Sequence, residues 1–190
     1  EVNGVVGNNF LGFDRKLVIA SADTELLEPL VRRRMEDHYP TFLDRMTREG
    51  PDISYMKINP SGTPFYGFNV TAAETQHSVR NFAYRFDDPK TGKSFAISGD
   101  GSFTDATREL FKGVDLLMHE GFYVDQSTSN HASIRDIVDY AIEFGVPKVS
   151  VVHVNREERQ NTSGISDLIA LGEKNGVKVD VPNDYDVITV

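Results

Sequence analysis

The chain has 190 residues, 39% hydrophobic and 26% charged, the balance of one soluble globular domain. Its formal net charge of −9 argues against a nucleic-acid surface spread over the whole chain, because phosphate affinity comes mostly from Lys and Arg. Cysteine is absent, so disulfides and thiolate metal sites are excluded, and His and carboxylates remain as the strong metal ligands. No apolar run approaches the ~20 residues that span a bilayer, and no signal-peptide pattern is present. Cytoplasmic residence without membrane attachment is the expectation. The first residue is Glu1 rather than Met, which predicts that the natural start lies upstream. Residues 1–190 read as a single domain, incomplete at its N-terminus.

In chain order, Lys16–Ser21 reads as a short buried strand. A helix comes next, capped by Asp23 or Thr24, with Leu26, Leu27, Leu30, Val31 and Met35 at helical spacing. Pro29 is tolerable there only within the first turns. Arg32, Arg33 and Arg34 point in different directions on such a helix and read as a solvated face. Residues 38–64, with Pro40, Gly50-Pro51, Pro60 and Gly62-Thr-Pro64, read as an irregular excursion around a strand near Ser54–Ile58. Phe65–Thr71, Phe82–Asp87 and Ser94–Ser98 look like consecutive strands, with Asp87-Asp-Pro-Lys-Thr-Gly92 as a hairpin turn.

The second half alternates strands and helices. Thr104 caps a helix that ends at Gly113, and Ser133-x-x-Asp136 resembles a capping box. Ile134, Ile137, Val138, Ala141 and Ile142 form one apolar stripe, closed by Gly145. Ile165, Leu168 and Ile169 mark a last helix, with closing strands at Val177–Val181 and Val187–Val190. Between Ser94 and His153 the pattern is βαβαβ with parallel, buried strands. Ligands of open α/β sheets collect beyond the carboxyl ends of the strands. Asp100, His119, Glu120 and His153 all fall at that edge.

A binuclear metal hydrolase needs two cations roughly 3.5–4 Å apart, a bridging carboxylate and neutral imidazoles. Asp100, in Ser98-Gly99-Asp100, suits the bridge. His77, in Glu74-Thr-Gln-His-Ser78, suits an imidazole ligand on a neighbouring loop, and His153 suits the second ion. Glu120 and His131 would lie close enough to form an acid–base pair. His119 reads as a structural group and His38 as a surface residue or helix-end cap. Asp115 lies at the wrong end of its strand for the site. Phe65, Tyr66, Phe68, Phe82 and Tyr84 read as core or sheet-face packing, with a pocket for an aromatic substrate as the alternative.

Together and in this order, these elements resemble the C-terminal half of a metallo-β-lactamase-fold hydrolase, nearest the ribonuclease Z and phosphodiesterase-like branch. The likeness is good over about residues 65–155 and looser elsewhere. His77 matches that family's third-motif histidine, Asp100 its bridging aspartate and His153 its last histidine. His119-Glu-Gly-Phe122 resembles the branch's His-Glu-Ala-Thr motif, and His131-Ala-Ser133 its His-Ser-Thr motif. The resemblance implies an α/β fold, a four-layer αβ/βα sandwich of which this chain supplies the C-terminal part. It also implies two divalent ions, zinc with manganese or iron as alternatives, on His77, Asp100 and His153. A metal-bound hydroxide would cleave a phosphodiester, with Glu120 and His131 protonating the leaving group.

The family signature His-x-His-x-Asp-His is absent. Val2-Asn-Gly-Val5 resembles the residues that normally come after that signature, which predicts that the chain starts where the signature ends. His77, Asp100 and His153 alone are too few for tight zinc binding. Three alternatives stand beside the leading reading: hydrolysis of another ester, lactone, thioester or sulfate ester; a metal-free, non-enzymatic binding domain; or half of a split site completed by another chain. The acidic balance favours a small ester or phosphodiester substrate over RNA. Exposed edges left by a missing half would favour homo-oligomers.

Overall fold

The computed structural model describes residues 17–38 and 53–190. Contacts divide the chain into two compact units, Glu1–Ile58 and Asn59–Val190. In the first, strands β1 (Leu17–Ser21) and β2 (Ile53–Lys57) pair in parallel, Leu17 opposite Ile53. Helix α1 (Thr24–His38) starts on Asp23, whose Oδ1 accepts the Leu26 N–H at 3.0 Å. Pro29 sits inside the helix, beyond its first turn, and the helix runs on through it. Val31 is buried, whereas Leu26 and Leu30 are exposed. The arginine cluster faces solvent, with Arg32 near Glu28 and Arg33 near Asp37 one helical turn away. Pro40 and Gly50-Pro51 lie outside the described residues.

The second unit is built on seven strands in the order β3 to β9. The first four, β3 (Thr63–Phe65), β4 (Phe68–Glu74), β5 (Phe82–Asp87) and β6 (Ser94–Ile97), form an antiparallel meander. The continuous strand expected over Phe65–Thr71 is instead a tight hairpin. Tyr66 and Gly67 take φ of 47° and 92°, so Phe65 turns back to face Phe68. Paired left-handed residues suit a two-residue hairpin loop, a turn that the apolar composition of the run conceals.

From β6 onward the strands are parallel. Helix α2 (Asp105–Phe111) leads to β7 (Leu116–Glu120), α3 (Ile134–Phe144) to β8 (Lys148–Val152), and α4 (Thr162–Lys174) to β9 (Lys178–Asp180). Thr104 caps α2 in a reciprocal box with Thr107, and Gly145 closes α3 in the left-handed conformation. Only half of the expected box opens α3: Ser133 Oγ accepts the Asp136 N–H at 3.1 Å. The Asp136 carboxylate turns instead to the Ser127 hydroxyl, which also accepts the Ser133 N–H at 2.7 Å.

Ile134, Ile137, Val138 and Ala141 of α3 pack into the core with Leu117, Val149 and Val151. Each such aliphatic side chain larger than alanine contributes roughly 1.5–3 kcal/mol on burial. No strand forms over Val187–Val190. Val187 is exposed, and the Thr189 carbonyl accepts a hydrogen bond from Lys148 Nζ at 2.8 Å.

Strand alternation sends His119 and Glu120 to opposite faces. His119 is buried, its ring stacked on Phe103 at 4.4 Å and edge-on to Phe111 at 5.6 Å. Its Nδ1 lies 2.7 Å from the Glu120 carbonyl and therefore carries the proton of the neutral ring. His119 is thus a structural residue and stands apart from the other groups of the edge. Burial lowers its pKa from 6.5 to about 4. Below about pH 6.5 the unfolded chain binds a proton here that the folded chain refuses, so stability falls as the pH drops towards 4. The loss reaches roughly 3 kcal/mol. Comparing urea midpoints at neutral and acid pH, His119→Phe should lose less stability on acidification than the parent.

Candidate active site

β4 runs parallel to β6, because the antiparallel β5 lies between them. The carboxyl ends of β4, β6, β7 and β8 therefore share one edge. His77 follows β4, Asp100 follows β6, Glu120 ends β7 and His153 follows β8. His131 reaches the same edge on the segment between β7 and α3.

His153 Nδ1 and Asp100 Oδ1 are 2.9 Å apart, and both side chains are about half exposed. His153 holds φ of 53°, an uncommon conformation for a residue with a Cβ, and the contact with Asp100 accompanies it. The Asp100 main chain is clamped too. Its carbonyl accepts from Thr75 Oγ1 at 2.8 Å and from the Asn81 side-chain amide, between Gly99 (φ 65°) and Gly101 (φ 121°). The His77 Nδ1 lies 3.3 Å from both the N–H and the carbonyl of Val79. The His77 and His131 rings are 5.3 Å apart and the His131 and His153 rings 6.0 Å apart, both edge to face.

Glu120 is buried, yet its carboxylate accepts three backbone N–H groups. Gly101 (3.1 Å) and Ala132 (2.9 Å) donate to Oε1, and Phe122 (3.1 Å) donates to Oε2. Burial raises its pKa above the ordinary carboxylate value, against the lowering effect of these donors and of His131. His131 Nδ1 stands 3.3 Å from Oε1, and no hydrogen bond closes across that gap. The imidazole faces a prepared acceptor, and a small ring rotation would complete the bond.

The five expected site residues therefore meet at one edge as a chain of contacts rather than as a metal cluster: Asp100 touches His153, the His131 ring neighbours those of His153 and His77, and Glu120 lies beside His131. Sequence reasoning missed the supports: Thr75, Asn81 and Gly101 around Asp100, Ser127 beneath the His131 segment, and Phe122 against the His131 ring. Gly101 could have been found as the second glycine flanking Asp100.

Two imidazoles and a carboxylate suit zinc, manganese or iron by donor type. Their number does not complete a shell, since zinc usually takes three or four protein ligands. Among the described residues, no group of three or more His, Cys, Asp or Glu side chains is arranged to hold a metal ion. Nor is any helix among them long and apolar enough to cross a membrane.

This mixed sheet, with helices crossing between parallel strands, is the α/β fold of the metallo-β-lactamases. The short form of human tRNase Z superimposes with a TM-score of 0.68 at 16% identity, over 98% of this chain and 72% of that one. Zn(2+)-bound PqqB from Methylobacterium extorquens gives 0.58 at 14% identity, over 96% and 66%. A family profile described as the beta-lactamase superfamily domain matches residues 17–154, and the chain belongs to that superfamily, on its metallo-β-lactamase side. It is distantly related to the ribonuclease BN and Z branch. Ribonuclease BN of Escherichia coli O1:K1 is 31% identical over 107 residues, 54% of this chain and 34% of that protein. The chain thus spans about a third of the length of such curated relatives.

Proposed function

We propose that this chain serves the metal-dependent hydrolysis of a phosphodiester, with His77, Asp100 and His153 contributing to the metal shell and Glu120 and His131 as the acid–base pair. The reading is supported by the meeting at one sheet edge of the Asp100–His153 contact with a buried carboxylate facing an unpartnered imidazole nitrogen. A bound ion would supply charge neutralisation and an activated nucleophile. The chain's own residues do the rest. Glu120, held by three N–H groups, presents its carboxylate to the His131 ring. As the phosphorus–oxygen bond to the leaving group breaks, His131 gives its proton to the departing oxygen, and Glu120 stabilises the imidazolium that precedes this step. The net charge of −9 favours a small substrate over RNA.

Elemental analysis and a substrate panel test the reading. Metal-loaded protein of verified N-terminus should cleave bis(p-nitrophenyl) phosphate faster than chromogenic carboxylic, thio- or sulfate esters. The reverse order would assign another ester class. His131→Ala should lower turnover by roughly 10²–10⁴-fold with metal content unchanged; loss of both would move His131 into the ligand shell. The small number of donors among the described residues favours one second reading, a fold kept for binding or completed by another chain. Protein that holds no metal and cleaves none of these substrates would establish it.

A further inference from the structure

We propose that Phe122 is the positioning residue of the acid–base pair: its ring sets the plane of the His131 imidazole while its backbone holds the carboxylate that the imidazole faces. This inference rests on His131 as the proton donor of the proposed reaction. The Phe122 and His131 rings stack at 4.4 Å with 23° between their planes. The same phenyl ring meets His153 at 5.5 Å, edge to face, so it touches both His131 and the Asp100–His153 pair. Its N–H donates to Glu120 Oε2 at 3.1 Å, and its carbonyl accepts the Asn155 N–H at 3.0 Å from the segment after β8. Tyr123 braces it at 5.0 Å, edge to face.

The stack matters because polar contacts leave the ring underdetermined. The torsion that turns an imidazole about its Cβ–Cγ bond has a broad profile, so the side chain alone does not choose a ring plane. His131 Nδ1 is buried beside Glu120 Oε1 without a hydrogen bond to hold it. The contacts with His77 and His153 are edge-to-face and longer. Among the described residues, only Phe122 stacks on a face of the ring. In the motif that His119-Glu-Gly-Phe122 resembles, threonine stands at this position, and a threonine has no ring to stack. This chain would therefore orient its proton donor by aromatic contact.

Phe122→Leu and Phe122→Tyr test the proposal, with His131 ring protons assigned by difference against His131→Ala. In the wild type those protons should be shifted upfield by the phenyl ring current. Phe122→Leu keeps apolar bulk but should free the His131 ring, weakening the NOEs from its ring protons to those of His77 and His153, and lower kcat by roughly 10- to 100-fold with KM little changed. Phe122→Tyr should restore both. A leucine variant that keeps those NOEs, or keeps full kcat, overturns the proposal. The NOEs require no turnover. A wild-type chain that cleaves none of the substrate panel would therefore sink the hydrolase reading, while the NOEs would still decide whether Phe122 sets the ring plane.

Discussion

Replacing Gly101 with alanine is expected to damage stability and the site together. Gly101 has φ of 121°, where side chains are strained. An added Cβ would come within 2.7 Å of Thr75 Oγ1 and 2.8 Å of the Gln76 carbonyl oxygen. The second neighbour is backbone, paired with Ser102 in a two-way bridge, so it cannot swing aside. Strain costs roughly 1–3 kcal/mol and overpacking about as much again, out of a total domain stability of roughly 5–15 kcal/mol. The functional loss comes from the same geometry. Gly101 N–H holds Glu120 Oε1, and Thr75 holds the carbonyl of Asp100 next door. Gly92→Ala is the control. That residue also has positive φ (71°), but nothing lies within 4 Å of the added Cβ. Its cost should stay near ~1–2 kcal/mol. If urea denaturation gives both variants the same loss, crowding at Gly101 is not what the structure implies.

Legibility in the sequence depended on range. The capping of α2 by Thr104, the Gly145 stop and the apolar stripe of α3 are local patterns, and each appears where its residues place it. The parallel βαβαβ order was equally readable, because buried parallel strands separated by amphipathic helices leave little freedom of connection. His77, Asp100, Glu120 and His153 meet because their strand ends share an edge, which topology alone dictates. The Tyr66-Gly67 turn was hidden by aromatic neighbours that suit strands. The missing strand at Val187–Val190 failed for another reason, since composition carries no information on whether a free edge lies nearby. The reach of Ser127 to Asp136, across the segment bearing His131, depends on how that segment folds back. The ring of Phe122 falls in the same class. Neither has a sequence period to announce it.

Glu120→Gln should separate the carboxylate's chemistry from its architecture. The three N–H groups that converge on Glu120 need acceptors at both of its terminal atoms. An amide offers one oxygen. Turned to serve Gly101 and Ala132, it aims its NH2 at the Phe122 N–H; turned the other way, it opposes two donors instead of one. An unsatisfied buried donor costs roughly 1–3 kcal/mol. Against that, glutamine removes a buried charge whose burial raises the carboxyl pKa. A raised native pKa means that the folded state loses stability relative to the unfolded one as the pH rises through and above the ordinary carboxylate range. The glutamine variant should therefore compare best with the parent at neutral pH and worst under acid conditions, where the parent's carboxyl is protonated. Turnover should not track that recovery. His131 would face an amide that cannot stabilise an imidazolium, and the rate should fall by roughly 10²–10⁴-fold wherever the parent's carboxylate is ionised, the gap closing only in acid, with metal content unchanged. A variant that keeps its turnover within a few-fold of the parent would show that His131 acts without the carboxylate. Glu120 would then be a structural anchor for Gly101, Phe122 and Ala132, and the proton donor would work from its stack alone.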